Sequence, residues 1–204
     1  MSHNGVLLHC GLMTLFLMAV GFGQETAKES STGKSFPVVV TCTYNGADHA
    51  LSLTGMTVRK KFLFKVYGMA HYMEEPPKAN EEDALKAVMA EGKAKQITMD
   101  FARDVDAGKI KEAYADGFKE NATADELKSI QPFVDQFTGY FTVEVKENQQ
   151  FILRWLPGGV VIASIAGEEK PPITNTVFAR VLWSIWFGTD SIVDREDLVE
   201  RIVQ

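Results

Sequence analysis

An α+β domain, an antiparallel β-sheet with helices packed on one face, is the fold class this sequence predicts, and three observations carry it. Strand-like and helix-like stretches come in blocks and not in strict βαβ alternation, the arrangement that yields antiparallel sheets with segregated helices. Thr57 to Met73 alternates with a period of two, which no helix can satisfy. Beyond residue 23 roughly 180 residues remain, enough for one domain with a sizeable core, and their only cysteine is Cys42, so that core needs no internal disulfide.

Residues 1–23 contain no Lys, Arg, Asp or Glu, are dominated by Leu, Met, Phe, Val, Ala and Gly from Val6 to Phe22, and give way at once to a polar run from Gln24. This is the profile of a secretory signal peptide, with Gly21-Phe22-Gly23 as the small-x-small cleavage site; an uncleaved N-terminal anchor is the alternative. The expectation is an exported protein, periplasmic or secreted, without a membrane span once the segment is removed. Gln24 to Ser35 is small and polar and reads as a linker, leaving residues 36–204 as the domain.

Within the domain, Phe36 to Tyr44 is rich in β-branched residues and ends at the turn signal Asn45-Gly46; His49 to Thr54 resumes strand character. In the 57–73 run, Val58, Phe62, Phe64, Val66, Ala70 and Tyr72 share one face, and Arg59, Lys61, Lys65, Tyr67 and His71 share the other, which reads as exposed. Asn80 to Asp83 opens a helix to about Ala90 with its acids in the first turn. Lys95 to Val105 returns to strand. Asp106 caps a helix through Lys119 whose apolar face is Ile110, Ala113, Tyr114, Gly117 and Phe118, and a second helix runs from Thr123 or Asp125 towards Phe137. Gly139 to Lys146, Gln149 to Leu156 and Val160 to Ala166 read as a three-strand meander. Asn175 to Phe187 is apolar nearly all round, as a buried helix is, and Asp194 caps a short final helix.

The chemistry is bounded by what is missing. There is no Gly-rich phosphate loop, no Cys or His cluster at metal spacing and no Gly-x-Ser-x-Gly elbow. Past residue 23 only His49 and His71 remain, so no metal or cofactor is expected and a His-based triad is disfavoured. The formal net charge of −6 argues against nucleic acid and anionic membrane surfaces as partners. Nothing in the sequence fixes the oligomeric state.

Four stretches, in order, resemble the chalcone isomerase family: Gly55 to Tyr72 with its arginine, Phe101 to Val105, Tyr114 to Asn121, and Leu182 to Gly188 followed by Val193-Asp194. The resemblance implies an open-faced sandwich and a pocket lined by Arg59, Tyr114, Asn121 and Ser184. An active-site threonine of the plant enzymes falls on Tyr67, a departure from them; the related plastid fatty-acid-binding proteins pair their arginine with a tyrosine there.

Physical constraints bear on that site. Tyr114 and Asn121 are two helical turns apart, about 10 Å, on the apolar face, and their polar groups need partners that a ligand, nearby backbone or water can supply. Ser184 is equally consistent with a hydroxyl bonded to its own helix, and Arg59, beside Lys60 and Lys61, with a solvated basic run. In one straight strand Arg59 and Tyr67 would stand about 27 Å apart, so a shared site demands a bend or hairpin near Lys60-Lys61-Phe62. Two functions follow from the resemblance. In the favoured one, the protein binds a small apolar anion, a fatty acid or an aromatic or phenolic acid, with Arg59 and Tyr67 on its charged group. In the alternative, it is an intramolecular lyase that closes a ring by adding an oxyanion to an enone, Arg59 positioning the oxyanion and Tyr114 stabilising the enolate.

Overall fold

The computed structural model describes residues 24–204; the expected signal peptide lies outside the described residues. In chain order the elements are β1 (Thr26–Lys28), β2 (Ser35–Pro37), β3 (Val39–Tyr44), β4 (Ala47–Lys61), β5 (Phe64–Glu74), α1 (Glu81–Met89), β6 (Lys95–Phe101), α2 (Ala107–Asn121), α3 (Ala124–Gly139), β7 (Gln150–Leu156), β8 (Val160–Ile165), β9 (Glu168–Glu169), β10 (Ile173–Thr174) and α4 (Thr176–Phe187). The main sheet is eight-stranded and antiparallel, in the order β10-β8-β7-β6-β5-β4-β3, with β9 pairing β8; β1 and β2 form a separate hairpin. It curls into a half-barrel around the helices, and the expected α+β class holds.

Local chemistry explains most element ends. Asn45 and Gly46 both take positive φ, 50° and 76°, as a two-residue hairpin turn of the right twist requires. The side chains of Asn80, Asp106, Thr123 and Asn175 each accept from a backbone N–H of the first turn they open, and Thr123 and Glu126 form a reciprocal capping box.

Four expectations about the elements are corrected. The presumed linker is the β1–β2 hairpin, closed by one carboxylate: the backbone N–H groups of Ser31 and Thr32 donate to Glu29 at 2.7 and 2.6 Å. Burial alone would raise the Glu29 pKa, but those bonds and one from the Thr32 hydroxyl hold it below the usual range. The 57–73 run is not one strand but two, β4 and β5, turning at Phe62-Leu63. Residues 139–146 form no strand; α3 runs on to Gly139, and only Val145 bridges back, to Val105. The final segment is a series of turns in which Leu198, Val199 and Ile202 bond three residues back, burying their side chains without a regular helix.

Both sheet faces are covered. Tyr67, Met69 and Met73 of β5 lie in the main core under the helices, where nine of the twelve α4 residues are buried. The alternate residues Ala70 and Tyr72 belong to a smaller cluster on the opposite face, into which β2 inserts Phe36. His71, expected to be exposed, is wholly buried under α4.

His71 is the centre of a polar chain through this core. The Trp183 indole can only donate, and it reaches His71 Nε2 at 3.5 Å. The ring proton therefore sits on Nδ1, which donates to Thr54 Oγ1 at 2.7 Å, and the threonine hydroxyl donates to the Leu198 carbonyl at 2.7 Å. Thr54 reaches inward because it is the extra residue of a β-bulge between Leu53 and Gly55. Gly55 is required beside it, since a Cβ there would stand 2.1 Å from the Asp197 carbonyl oxygen. The network thus ties α4, β5, β4 and the C-terminal turns together.

Burial, and then the nearby Lys95 charge, push the His71 pKa well below its ordinary value, so the folded ring is neutral. The unfolded chain binds a proton there below about pH 6.5 and the native state does not. Stability is therefore full above that pH and falls as pH drops beneath it, by about 1 kcal/mol between pH 7 and 5.5. Urea unfolding at the two pH values should show this loss in the wild type and a smaller one in His71→Gln; equal losses would contradict it.

Candidate functional site

The hairpin between Arg59 and Tyr67 supplies the bend their shared site requires. They are cross-strand Cα partners on β4 and β5, next to a bulge that makes Val66 the extra residue. Arg59 is half-buried; its Nη1 donates to the carbonyls of Lys60 at 2.9 Å and Ile192 at 2.7 Å. Among the described residues it has no carboxylate partner, and its other N–H groups have no acceptor. Guanidinium donors of this kind suit a carboxylate or phenolate oxygen.

Tyr67 is buried beside it. The Trp186 indole N–H donates to the Tyr67 hydroxyl oxygen at 3.0 Å. Burial pushes the Tyr67 pKa up to about 12, against a smaller downward pull from that hydrogen bond and from the Arg59 charge. The phenol is therefore protonated at neutral pH, and among the described residues its proton has no acceptor. A cation without a counter-ion and a donor without an acceptor thus stand on paired positions of adjacent strands.

Tyr114 of α2 joins this group through its ring. It stacks on Phe141 with centroids 5.2 Å apart and meets Phe137 and Trp186 edge-on at 4.9 and 6.1 Å. Burial first, then interaction with Tyr67, keeps its hydroxyl protonated, its pKa well above the ordinary value. Phe101 packs edge-on against Tyr67 at 5.6 Å and against Phe151 at 4.8 Å, and Phe151 in turn meets Phe141 at 5.3 Å, so a chain of rings links the two tyrosines.

Asn121 and Ser184 turn to other partners. They meet across Gly188, where a Cβ would stand 2.7 Å from Asn121 Oδ1 and 3.2 Å from Ser184 Cβ. Asn121 Nδ2 donates to the Gly117 carbonyl at 2.9 Å, and Ser184 Oγ lies 2.9 and 3.1 Å from the Val181 and Arg180 carbonyls. Both polar groups are bonded to their own helices, the bland alternative the sequence left open. Tyr67 and Tyr114 thus meet at Trp186, with Arg59 opposite Tyr67 on the neighbouring strand, and Asn121 and Ser184 form a second pair across Gly188. Two clefts of about 220 and 230 Å³ flank α1, and none of the five residues lines either.

Trp186 and the Ile192 carbonyl escaped the sequence reading. The signal for Trp186 was present: two indoles, Trp183 and Trp186, on a helix that buries nearly every side chain need two buried acceptors, and those belong to the core of any site.

Comparison with known proteins gives the following. A family model described as chalcone isomerase-like matches residues 33–198. No match to a curated protein was found. Among solved structures, the chain is similar to the crystal structure of a fatty-acid-binding protein from Arabidopsis thaliana, at 17% identity and a TM-score of 0.66, over 87% of this chain and 97% of that one.

The hydrogen-bond geometry separates the stability roles of the two hairpin partners. Tyr67→Phe strands the buried Trp186 N–H and should cost about 1–3 kcal/mol in urea unfolding. Arg59→Ala, at a half-buried site without an ion pair, should cost less than about 1 kcal/mol. The reverse order would contradict the assignment.

Proposed function

The chain belongs to the chalcone isomerase-like family, and from that premise we propose that it binds a small apolar anion, a fatty acid or an aromatic or phenolic acid, through Arg59 and Tyr67. The observation that carries the reading is the unmatched pair of the previous section. A carboxylate placed there accepts from the spare guanidinium N–H groups and from the Tyr67 O–H, satisfying both partners at once. We place the apolar body among Phe101, Tyr114 and Phe141, packed rings that must shift to admit it. That a protein of similar fold binds fatty acids supports the ligand class. Ring closure is less well supported. It relies on Asn121 and Ser184 to orient a distal ring, and both are committed to helix carbonyls. We also propose that residues 1–23 direct export, which intact mass would support with a chain beginning near Gln24 and refute with Met1 retained on a membrane-bound protein.

Dodecanoate tests the binding reading. It should raise the melting temperature of the wild type, because a ligand of the native state stabilises it by mass action. Arg59→Ala should lose about 2–5 kcal/mol of dodecanoate affinity while keeping its fold. On the same samples, 2′-hydroxychalcone should cyclise at the solution background rate. Unchanged dodecanoate affinity in the variant would reject the site, and chalcone turnover that depends on Arg59 and Tyr114 would replace binding by isomerisation.

A further inference from the structure

The hairpin that brings Arg59 to Tyr67 ends in a feature the ligand site does not use. Lys60 to Lys65 are six consecutive exposed residues, Lys-Lys-Phe-Leu-Phe-Lys, and at their centre Phe62 is 89% exposed, Leu63 97% and Phe64 60%. The tip stands clear of the sheet: β3 pairs with β4 only as far as Ser52, and β6 pairs with β5 only from Tyr67 onward. Phe62, first of the two turn residues, has φ of 55°, a position where hairpins favour glycine and where a bulky side chain is strained. An aromatic ring thus occupies a strained, solvent-facing position where folding gains nothing from it.

Cations collar this apolar point. Lys60, Lys61 and Lys65 flank it, the exposed Lys65 ammonium also donating to the Ser31 carbonyl, and the Arg103 guanidinium lies 4.7 Å from the Phe64 ring centroid. No Asp or Glu occurs between Asp48 and Glu74, although the whole chain carries a net charge of −6. Asp104, next to Arg103, is engaged by Lys146. The negative total therefore conceals a locally basic hairpin, residues 49–73 holding no acid of their own.

We propose that the Lys60–Lys65 hairpin tip docks the protein on an anionic lipid surface, Phe62, Leu63 and Phe64 entering the bilayer interface while Lys60, Lys61, Lys65 and Arg103 meet lipid phosphates. Aromatic and leucine side chains on a basic base are what interfacial insertion requires. Each cation near such a surface multiplies the affinity about fivefold. A convex tip of three apolar residues cannot furnish the roughly 800 Å² per partner of a specific protein interface, which favours lipid over protein. The rest of the acidic surface is repelled, so docking is oriented and reversible. This inference does not rest on the ligand reading.

The test uses the full chain with Leu63→Trp and vesicles carrying brominated acyl chains. Trp155, Trp183 and Trp186 are at most 1% exposed and set the unquenched baseline. On vesicles containing phosphatidylglycerol the introduced indole should shift to the blue and be quenched. On pure phosphatidylcholine it should not, and adding Lys60→Glu and Lys61→Glu should weaken the quenching at least tenfold. Residues 1–23 are common to all variants, so insertion by that segment cannot produce the lipid and lysine dependence. Absence of quenching, equal quenching on both lipids, or a blue shift without vesicles (a second copy or another protein surface covering the tip) would each overturn the proposal.

Discussion

Two indole N–H groups fix this molecule. α4 buries nearly every side chain it has, so Trp183 and Trp186 must find acceptors inside the core or lose a hydrogen bond each. Both acceptors are on β5: His71 for Trp183 and the Tyr67 hydroxyl for Trp186. Residues 67 and 71 share one strand face, and 183 and 186 one helix face, so the pair of bonds sets where α4 sits on the sheet and how it is turned. Apolar packing tolerates small slips; two buried hydrogen bonds at fixed positions do not.

The neighbouring structure follows from that docking. His71 can accept from Trp183 only as a neutral ring with its proton on Nδ1, and the Thr54 bulge exists to take that proton. Thr54 then hands its own to Leu198, which draws the C-terminal turns across Gly55. At the other end, the Trp186 bond occupies an acceptor position of the Tyr67 hydroxyl oxygen and leaves its proton without an acceptor among the described residues. The donor that makes the candidate site is therefore a by-product of helix docking. Arg59 completes it because the β4–β5 turn folds residue 59 back opposite residue 67.

Much of this was legible in the residues, and the failures have causes. Helix starts were readable because capping is local: Asp106 caps as expected, and helices open at Asn80, Thr123 and Asn175 where the sequence began them, whereas Asp194 caps none. The turn at Phe62-Leu63 was not, because neither residue carries turn chemistry; distance arithmetic alone required a bend there. His71 looked exposed because it alternates with Lys61 and Lys65, but the Val66 bulge separates the cationic tip from the buried length of β5. Residues 24–35 looked like a linker because their closure rests on one buried glutamate and not on apolar content. Of the five site residues, Arg59 stands opposite Tyr67, and Tyr67 and Tyr114 meet at Trp186. Asn121 and Ser184 bond to their own helices, since spacing places a side chain on a helix face but says nothing of a carbonyl four residues back that captures it. Net charge is silent on such local detail, since a sum of −6 coexists with a stretch, residues 49–73, that holds no Asp or Glu.

The central claim is that Arg59 and Tyr67 together hold an anionic head group. The most direct test is to titrate dodecanoate labelled with carbon-13 at its carboxyl, bound to the protein, and follow the carboxyl chemical shift with pH. A guanidinium and a phenol proton on the carboxylate favour its charged form. The bound carboxyl should therefore titrate well below the ordinary carboxylate range in the wild type and return upward in Arg59→Ala. A bound carboxyl that titrates at its ordinary value, unchanged by the substitution, would contradict the account.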